Sequence, residues 1–229
     1  MDKRTLQVAQ VIRRTETIVS IRLSGEEMPV FSPGQFFKVY TKDNLWRYLS
    51  AASSPRRPYL EFSKRLTGSP FSLSLEAAVP GMPVTVEGPY GRFTVHGTES
   101  KLLLMAGGIG ITPFMSMLDD AFQTRSDRDT VLLFSNRSYE ETPYRQELSE
   151  FSATIPLRVV FFCREPHEGV LTGRIDRRRI EELVPDASER ICLIAGPPSM
   201  VEGLKEEAAA LIPGSRLLTE QLTGYAQGG

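Results

Sequence analysis

Leu102-Leu103-Leu104-Met105-Ala106-Gly107-Gly108-Ile109-Gly110-Ile111-Thr112-Pro113-Phe114 is the stretch whose reading decides the fold. Four apolar residues at 102–105 suit a strand covered on both faces, as in a parallel sheet. Gly107, Gly108 and Gly110 allow a sharp turn and a close backbone approach to a ligand. Thr112 is a good N-cap and Pro113 a good first helical residue. A helix starting there directs free N–H groups and the positive end of its dipole at the turn. That arrangement suits a pyrophosphate. Taken alone, the segment also reads as an ordinary tight strand–helix connection, because glycine-rich turns match by accident.

Working outward, the pattern changes near residue 98. After it, strands are expected at 102–106, 131–135, 157–162 and 191–195, with a last short one at 216–219. Helices are expected at 113–124, 143–151, 176–183 and 198–211. This alternation predicts a doubly wound parallel sheet. Before residue 98, short β-rich runs at 6–12, 17–23, 35–40, 59–63 and 84–87 are punctuated by Pro33-Gly34, Pro80-Gly81 and Gly88-Pro89. They predict an antiparallel barrel or sandwich, interrupted by one helix at about 70–78. The expected organisation is an antiparallel β-barrel over 1–97 followed by an α/β doubly wound domain over 98–229.

Composition narrows the function classes. The 229 residues are 41% hydrophobic and 24% charged, with a formal net charge of -1, which is ordinary for a globular protein and gives no pull on nucleic acid. No apolar run reaches the ~18–20 residues needed to span a bilayer. The first residues lack an apolar signal region, so a cytoplasmic location is expected. Two cysteines, Cys163 and Cys192, sit in apolar runs and read as buried thiols; they are too few for an iron–sulfur cluster, which takes about four ligands. Two separated histidines give no metal site.

Three other segments ask for phosphates or rings. Arg47-Tyr48-Leu49-Ser50 offers a guanidinium that can pair with a phosphate and a serine that can hydrogen-bond a heteroaromatic ring; the alternative is a strand edge before a serine-rich turn. Gly68-Ser69-Pro70-Phe71-Ser72 gives a turn, an N-cap and a first helical proline, which is either a second pyrophosphate cradle or a simple helix cap. Ala195-Gly196-Pro197-Pro198 follows a buried strand. Together with 107–112 and 135–137, it falls at the carboxyl ends of parallel strands, where such sheets bind ligands.

In this order the segments resemble the ferredoxin–NADP reductase family over nearly the whole chain. Arg47–Ser50 is similar to its flavin signature, 68–72 to its flavin-phosphate turn, and Gly88-Pro89-Tyr90-Gly91 to the turn closing its barrel. Residues 107–113 are similar to its nicotinamide-nucleotide loop, and Ser135-Asn136-Arg137-Ser138 to its ribose-side segment. Ala195–Pro198 resembles its cysteine-glycine segment, and Glu220-Gln221-Leu222-Thr223-Gly224-Tyr225 its C-terminal end. The resemblance implies FAD in the first domain and NAD(P)H in the second, with the flavin at their junction. It makes Ser50 and Glu220 the expected catalytic residues. Expected cofactor contacts are Arg47, Tyr48, Leu49, Ser50, Gly68, Ser69, Pro70, Phe71, Ser72, Gly107, Gly108, Gly110, Thr112, Pro113, Asn136, Arg137, Ala195, Gly196, Pro197 and Tyr225.

Two departures stand out. The family's flavin-stacking tyrosine falls at Leu49, with Tyr48 one position early and so on the opposite face unless a bulge intervenes. Its cysteine falls at Ala195. Asn136-Arg137, with no acid before Glu140, leans slightly toward NADPH. The activity implied is an FAD-dependent NAD(P)H oxidoreductase passing electrons to a ferredoxin, a flavodoxin or an oxygenase component. The alternatives are reduction of free flavin or quinone, or an electron-transfer subunit active only in a complex. The basic pairs Arg56-Arg57 and Lys64-Arg65 and the run Arg177-Arg178-Arg179 read mainly as solvated faces, with docking of an acidic partner as the alternative.

Overall fold

The computed structural model describes residues 2–42, 45–95 and 99–222. The chain forms two compact units, one built from residues 2–95 with Thr112–Gln123, the other from residues 99–111 with 124–222.

The first unit is an antiparallel six-stranded sheet: β1 (Asp2–Arg13), β2 (Ile18–Ser24), β3 (Phe36–Lys42), β4 (Leu45–Ser50), β5 (Leu60–Arg65) and β6 (Pro83–Tyr90). The strand order is β4-β3-β6-β1-β2-β5. Past the end of β4, Ala51 bridges Phe62, and the Ala52 N–H donates to the Glu61 carbonyl at 2.8 Å, so the sheet curls into a nearly closed barrel. Alternation sends Phe37, Val39, Val84, Val86, Ile21 and Leu23 into a common core, which α1 (Pro70–Glu76) completes with Phe71 and Leu75.

α2 (Ile111–Thr124), read from sequence as part of the α/β half, packs with the barrel. Ser116 donates to the Ser53 carbonyl at 2.7 Å, and Asp119 accepts from the Ser54 N–H at 2.8 Å. Arg57 clamps the Asp119 carboxylate with Nη2 at 2.7 Å and Nε at 3.0 Å.

The second unit is a parallel sheet of β7 (Lys101–Gly107), β8 (Asp129–Ser135), β9 (Leu157–Cys163), β10 (Leu171–Thr172), β11 (Ile191–Gly196) and β12 (Leu217–Gln221), in the order β10-β9-β8-β7-β11-β12. Between them lie α3 (Arg145–Ser152), α4 (Arg177–Leu183) and α5 (Pro198–Ala209). The order reverses between β7 and β11, so the loops after these two strands flank the crevice that doubly wound sheets use for ligands. The buried run Leu102–Ala106 is the expected central strand.

One local expectation is corrected. Thr112 does not cap α2. Gly108–Gly110 already form a 3-10 turn, in which the Ile111 N–H bonds back to Gly108, and the helix follows from Ile111. Glycine backbone builds the first turn, which places Thr112 and Pro113 inside the helix.

Candidate active site

Cross-strand pairing fixes which way β4 points its side chains. Phe37 opposes Leu49 and Val39 opposes Arg47, on the inner face; Phe36 opposes Ser50, Lys38 opposes Tyr48 and Tyr40 opposes Trp46, on the outer face. No bulge falls between Trp46 and Ser50, so Tyr48 is not carried onto the face of Leu49. Leu49 is a core residue, whereas Tyr48 is 51% exposed. Ser50 is buried and its Oγ has no hydrogen-bond partner.

The Arg47 Nη1 donates to the Trp46 carbonyl at 2.7 Å, and its guanidinium carbon lies 5.7 Å from the centre of the Phe71 ring. Lys64, on β5, is not on a solvated face as the basic pair suggested; it is 9% exposed. Burial foremost, then the charges of Arg47 and Arg65, push its pKa below the usual lysine value. An anionic group would relieve that convergence of cations, and a diphosphate fits it. The signal was present in the spacing: Leu60, Phe62 and Lys64 alternate on one face of β5.

At the start of α1, Gly68 takes φ +70, a region that glycine enters freely. Ser69 caps the helix, its side chain accepting from the Ser72 N–H at 3.3 Å, and Pro70 opens the first turn. The Ser72 hydroxyl donates to the Ser69 carbonyl at 3.0 Å and accepts from the Thr67 N–H at 3.2 Å. Both hydroxyls are therefore engaged within the cap, and Phe71 is wholly buried in the barrel core.

In the second unit, the glycine turn meets the end of β11. A Cβ on Gly110 would overlap the Ala195 carbonyl, so this glycine is required by the close approach of two loops. Gly108 has φ +52. Pro197 precedes α5, and the Gly196 carbonyl accepts from the Leu222 N–H at 2.9 Å. β11 and β12 pair so that Ala195 stands beside Glu220. The position of the family's cysteine and the expected catalytic carboxylate are thus neighbours in one sheet. Burial pushes the Glu220 carboxyl up to about 7, and its Oε2 has no partner. After β8, Asn136 is buried with both side-chain amide atoms unpartnered, while Arg137 is exposed. Tyr225 lies outside the described residues.

Ser50, Asn136 and Glu220 are the residues that hold buried side-chain polar atoms without a partner among the described residues. All three were named from sequence as site residues. Leaving such groups unpaired costs about 1–3 kcal/mol each, a cost that a bound ligand can remove. The thiols of Cys163 and Cys192 are buried, and burial raises the pKa of both. Among the described residues no group of three or more His, Cys, Asp or Glu could hold a metal, and no helix is long and apolar enough to cross a membrane.

Residues 104–206 match the family described as an oxidoreductase NAD-binding domain. The reductase subunit of glycine betaine monooxygenase from Chromohalobacter salexigens is 31% identical over 191 residues, covering 77% of this chain and 51% of that protein. The FAD/NAD-binding domain of nitric oxide dioxygenase from Vibrio cholerae superposes with a TM-score of 0.88 at 20% identity, over 97% of this chain and 99% of the other. A ferredoxin NADP+ reductase from Neisseria gonorrhoeae, solved with FAD and NADP, gives 0.83 at 20% identity over 96% and 99%. Its fold is that of the ferredoxin–NADP reductase family, whose motif order it resembles. Both expected folds are present in the expected order, an antiparallel barrel and then a parallel doubly wound sheet. The chain spans about half the length of the first curated relatives it matches.

Proposed function

We propose that this chain is an FAD-dependent NAD(P)H oxidoreductase that delivers electrons to a separate redox protein. FAD is assigned to residues 1–97 and the nicotinamide nucleotide to 98–229. One observation carries the reading: Ser50, Asn136 and Glu220, picked out by their place in the family's motifs, are the residues left with buried, unpartnered polar groups.

When bound, the two cofactors supply the redox chemistry, hydride from the nicotinamide and single electrons from the reduced flavin. The chain's own residues bind, orient and manage protons. Arg47, with Lys64 near it, neutralises the FAD diphosphate. The Ser50 hydroxyl offers a hydrogen bond to the flavin ring. The backbone around Gly107, Gly108 and Gly110 takes the nucleotide diphosphate at the first turn of α2, and Asn136 and Arg137 take the ribose side. Arg137 supports the lean toward NADPH. Glu220, poised near neutrality, holds or releases a proton beside the nicotinamide, while Ala195 leaves room there.

The acceptor in this reading is an oxygenase component, a ferredoxin or a flavodoxin, and the setting is the cytoplasm. The relatives' greater length favours a second form of it, an electron-transfer unit that works only with a further chain or segment. The deciding experiment mixes the purified chain, supplied with FAD, with NADH and with NADPH under anaerobic conditions. Bleaching of the flavin spectrum by NADPH before NADH is expected. Failure to retain flavin after FAD is added refutes the reading. Dye reduction by the chain alone separates the first form from the second.

A further inference from the structure

Asn136 stands apart from the other two residues with buried, unpartnered polar atoms. It is 8% exposed, and both Oδ1 and Nδ2 lack a partner among the described residues. A carboxamide sets an acceptor beside two donors and carries no charge. A phosphate alone does not complete it, since phosphate oxygens serve Nδ2 and leave Oδ1 facing another acceptor. A cation alone serves Oδ1 and leaves Nδ2. A sugar hydroxyl completes both, donating to Oδ1 while an oxygen beside it accepts from Nδ2.

The backbone fixes where such a ligand lies. In β8, Ser135 pairs with Gly107 on one side and Phe162 on the other. The Asn136 N–H continues the ladder by donating to the Phe162 carbonyl at 2.9 Å, and the Arg164 N–H donates to the Arg137 carbonyl at 3.2 Å. Asn136 is thereby anchored at the carboxyl end of β8, one strand from the glycine turn after β7 and two from Ala195 on β11. Strands lie about 4.8 Å apart, so it stands roughly 10 Å from Ala195. With the diphosphate over the glycine turn and the nicotinamide beside Ala195, the part of the nucleotide that reaches Asn136 is the adenosine ribose.

Doubly wound folds commonly read that ribose with a carboxylate at the end of the second strand, which accepts a hydroxyl proton. The same charge repels a 2′-phosphate. Here the first acid beyond β8, Glu140, is exposed and engaged locally: its own backbone N–H, and then Ser138, hold its carboxyl below the usual pKa. Asn136 offers the acceptor without the charge, and the exposed Arg137 follows it directly.

We propose that Asn136 is a specificity-determining residue of the nucleotide site. Its carboxamide accepts from a hydroxyl of the adenosine ribose and donates to an oxygen beside it, and its neutrality is what admits a 2′-phosphate next to Arg137. This rests on the function proposed above. Two substitutions separate the hydrogen bonds from the charge. Asn136→Leu removes the bonds at similar volume. Asn136→Asp keeps the acceptor and adds the charge.

The probes are AMP, adenosine 2′,5′-bisphosphate and nicotinamide mononucleotide, titrated by calorimetry into the chain supplied with FAD. In Asn136→Leu, AMP and the bisphosphate should each bind about tenfold more weakly, the scale of one buried hydrogen bond, while the mononucleotide binds as it does to the parent. The ligand-free melting temperature of that variant should equal or exceed the parent's, because an orphaned amide has been removed. In Asn136→Asp, the ratio of bisphosphate to AMP affinity should fall about tenfold at pH 8 relative to the parent at the same pH, and less at pH 6, where the carboxyl takes up a proton. Unchanged AMP affinity in Asn136→Leu overturns the proposal, as does a loss that reaches the mononucleotide equally. A lower ligand-free melting temperature also overturns it, because the carboxamide would then serve the fold. So does a bisphosphate-to-AMP ratio that Asn136→Asp leaves at the parent value at both pH values. A parent chain that binds none of the three nucleotides fails the functional reading as well; a parent that binds them while the variants bind them alike fails the assignment of Asn136 alone.

Discussion

Glu220→Gln is expected to flatten a fall in stability that the parent chain shows as pH rises. Burial lifts the Glu220 carboxyl from 4.5 to about 7. Between those values the folded chain keeps a proton that the unfolded chain has lost, so stability declines as pH rises through this window and the loss is complete above it. A displacement of that size corresponds to about 3 kcal/mol, and water reaching the partly exposed strand leaves about 2 kcal/mol as the working figure. For a chain of this length that amounts to a melting-temperature difference of about 4–8 °C. The assay is thermal unfolding of nucleotide-free parent and variant, followed by circular dichroism from pH 5 to pH 8.5. Glutamine has no charge to bury, so the variant should lose less stability than the parent across the range. Parallel curves would refute the reasoning, because they would mean that Glu220 is already ionised in the folded chain.

Ser50→Ala removes an unpartnered buried hydroxyl, so the flavin-free variant should be as stable as the parent or more stable by up to about 1 kcal/mol; in the same variant, stopped-flow reduction of bound flavin by NAD(P)H should slow. Gly110→Ala drives a methyl group into the Ala195 carbonyl and should cost about 1–3 kcal/mol in denaturant unfolding, together with loss of nucleotide binding measured by calorimetry. Asp119→Ala removes the acceptor of the Ser54 N–H and the Arg57 ion pair and should destabilise the barrel unit by about 1–3 kcal/mol, read from the urea midpoint; a shift below about 0.5 kcal/mol would show that Asp119 does little to hold α2.

Much of the architecture was legible because its periodicities are clean. The run Leu102–Ala106 announces a strand buried on both faces, and the barrel strands announce themselves by alternation. Motif and burial coincide at Ser50, Asn136 and Glu220, which the sequence names as candidates and whose polar atoms are buried without partners among the described residues. The site was less legible where the usual polarity of a strand is inverted. β4 points rings outward and an arginine inward, so Leu45–Ser50 lacks the apolar-in, polar-out signal of a strand. Lys64 was hidden by its type, since a lysine beside an arginine normally reads as solvated surface. α2 starts two residues before the expected Pro113, after a 3-10 turn of glycines, because glycines rarely open helices and the closeness of Ala195 leaves Gly110 room for nothing larger. Ser69 is the N-cap that the sequence predicts, and the Ser72 hydroxyl makes local bonds with the Ser69 carbonyl and the Thr67 N–H.

The allegiance of α2 bears on how such reductases can be cut and recombined. Sequence divides this chain near residue 98, yet Ser116 and Asp119 fasten a helix from beyond that point to Ser53, Ser54 and Arg57. A gene split at residue 98 would separate the Arg57 guanidinium from its carboxylate and the Phe114 ring from Phe93. Chimeras with relatives of other acceptor preference should therefore exchange the barrel and α2 as one module, joined to the parallel sheet through the glycine turn that precedes the helix.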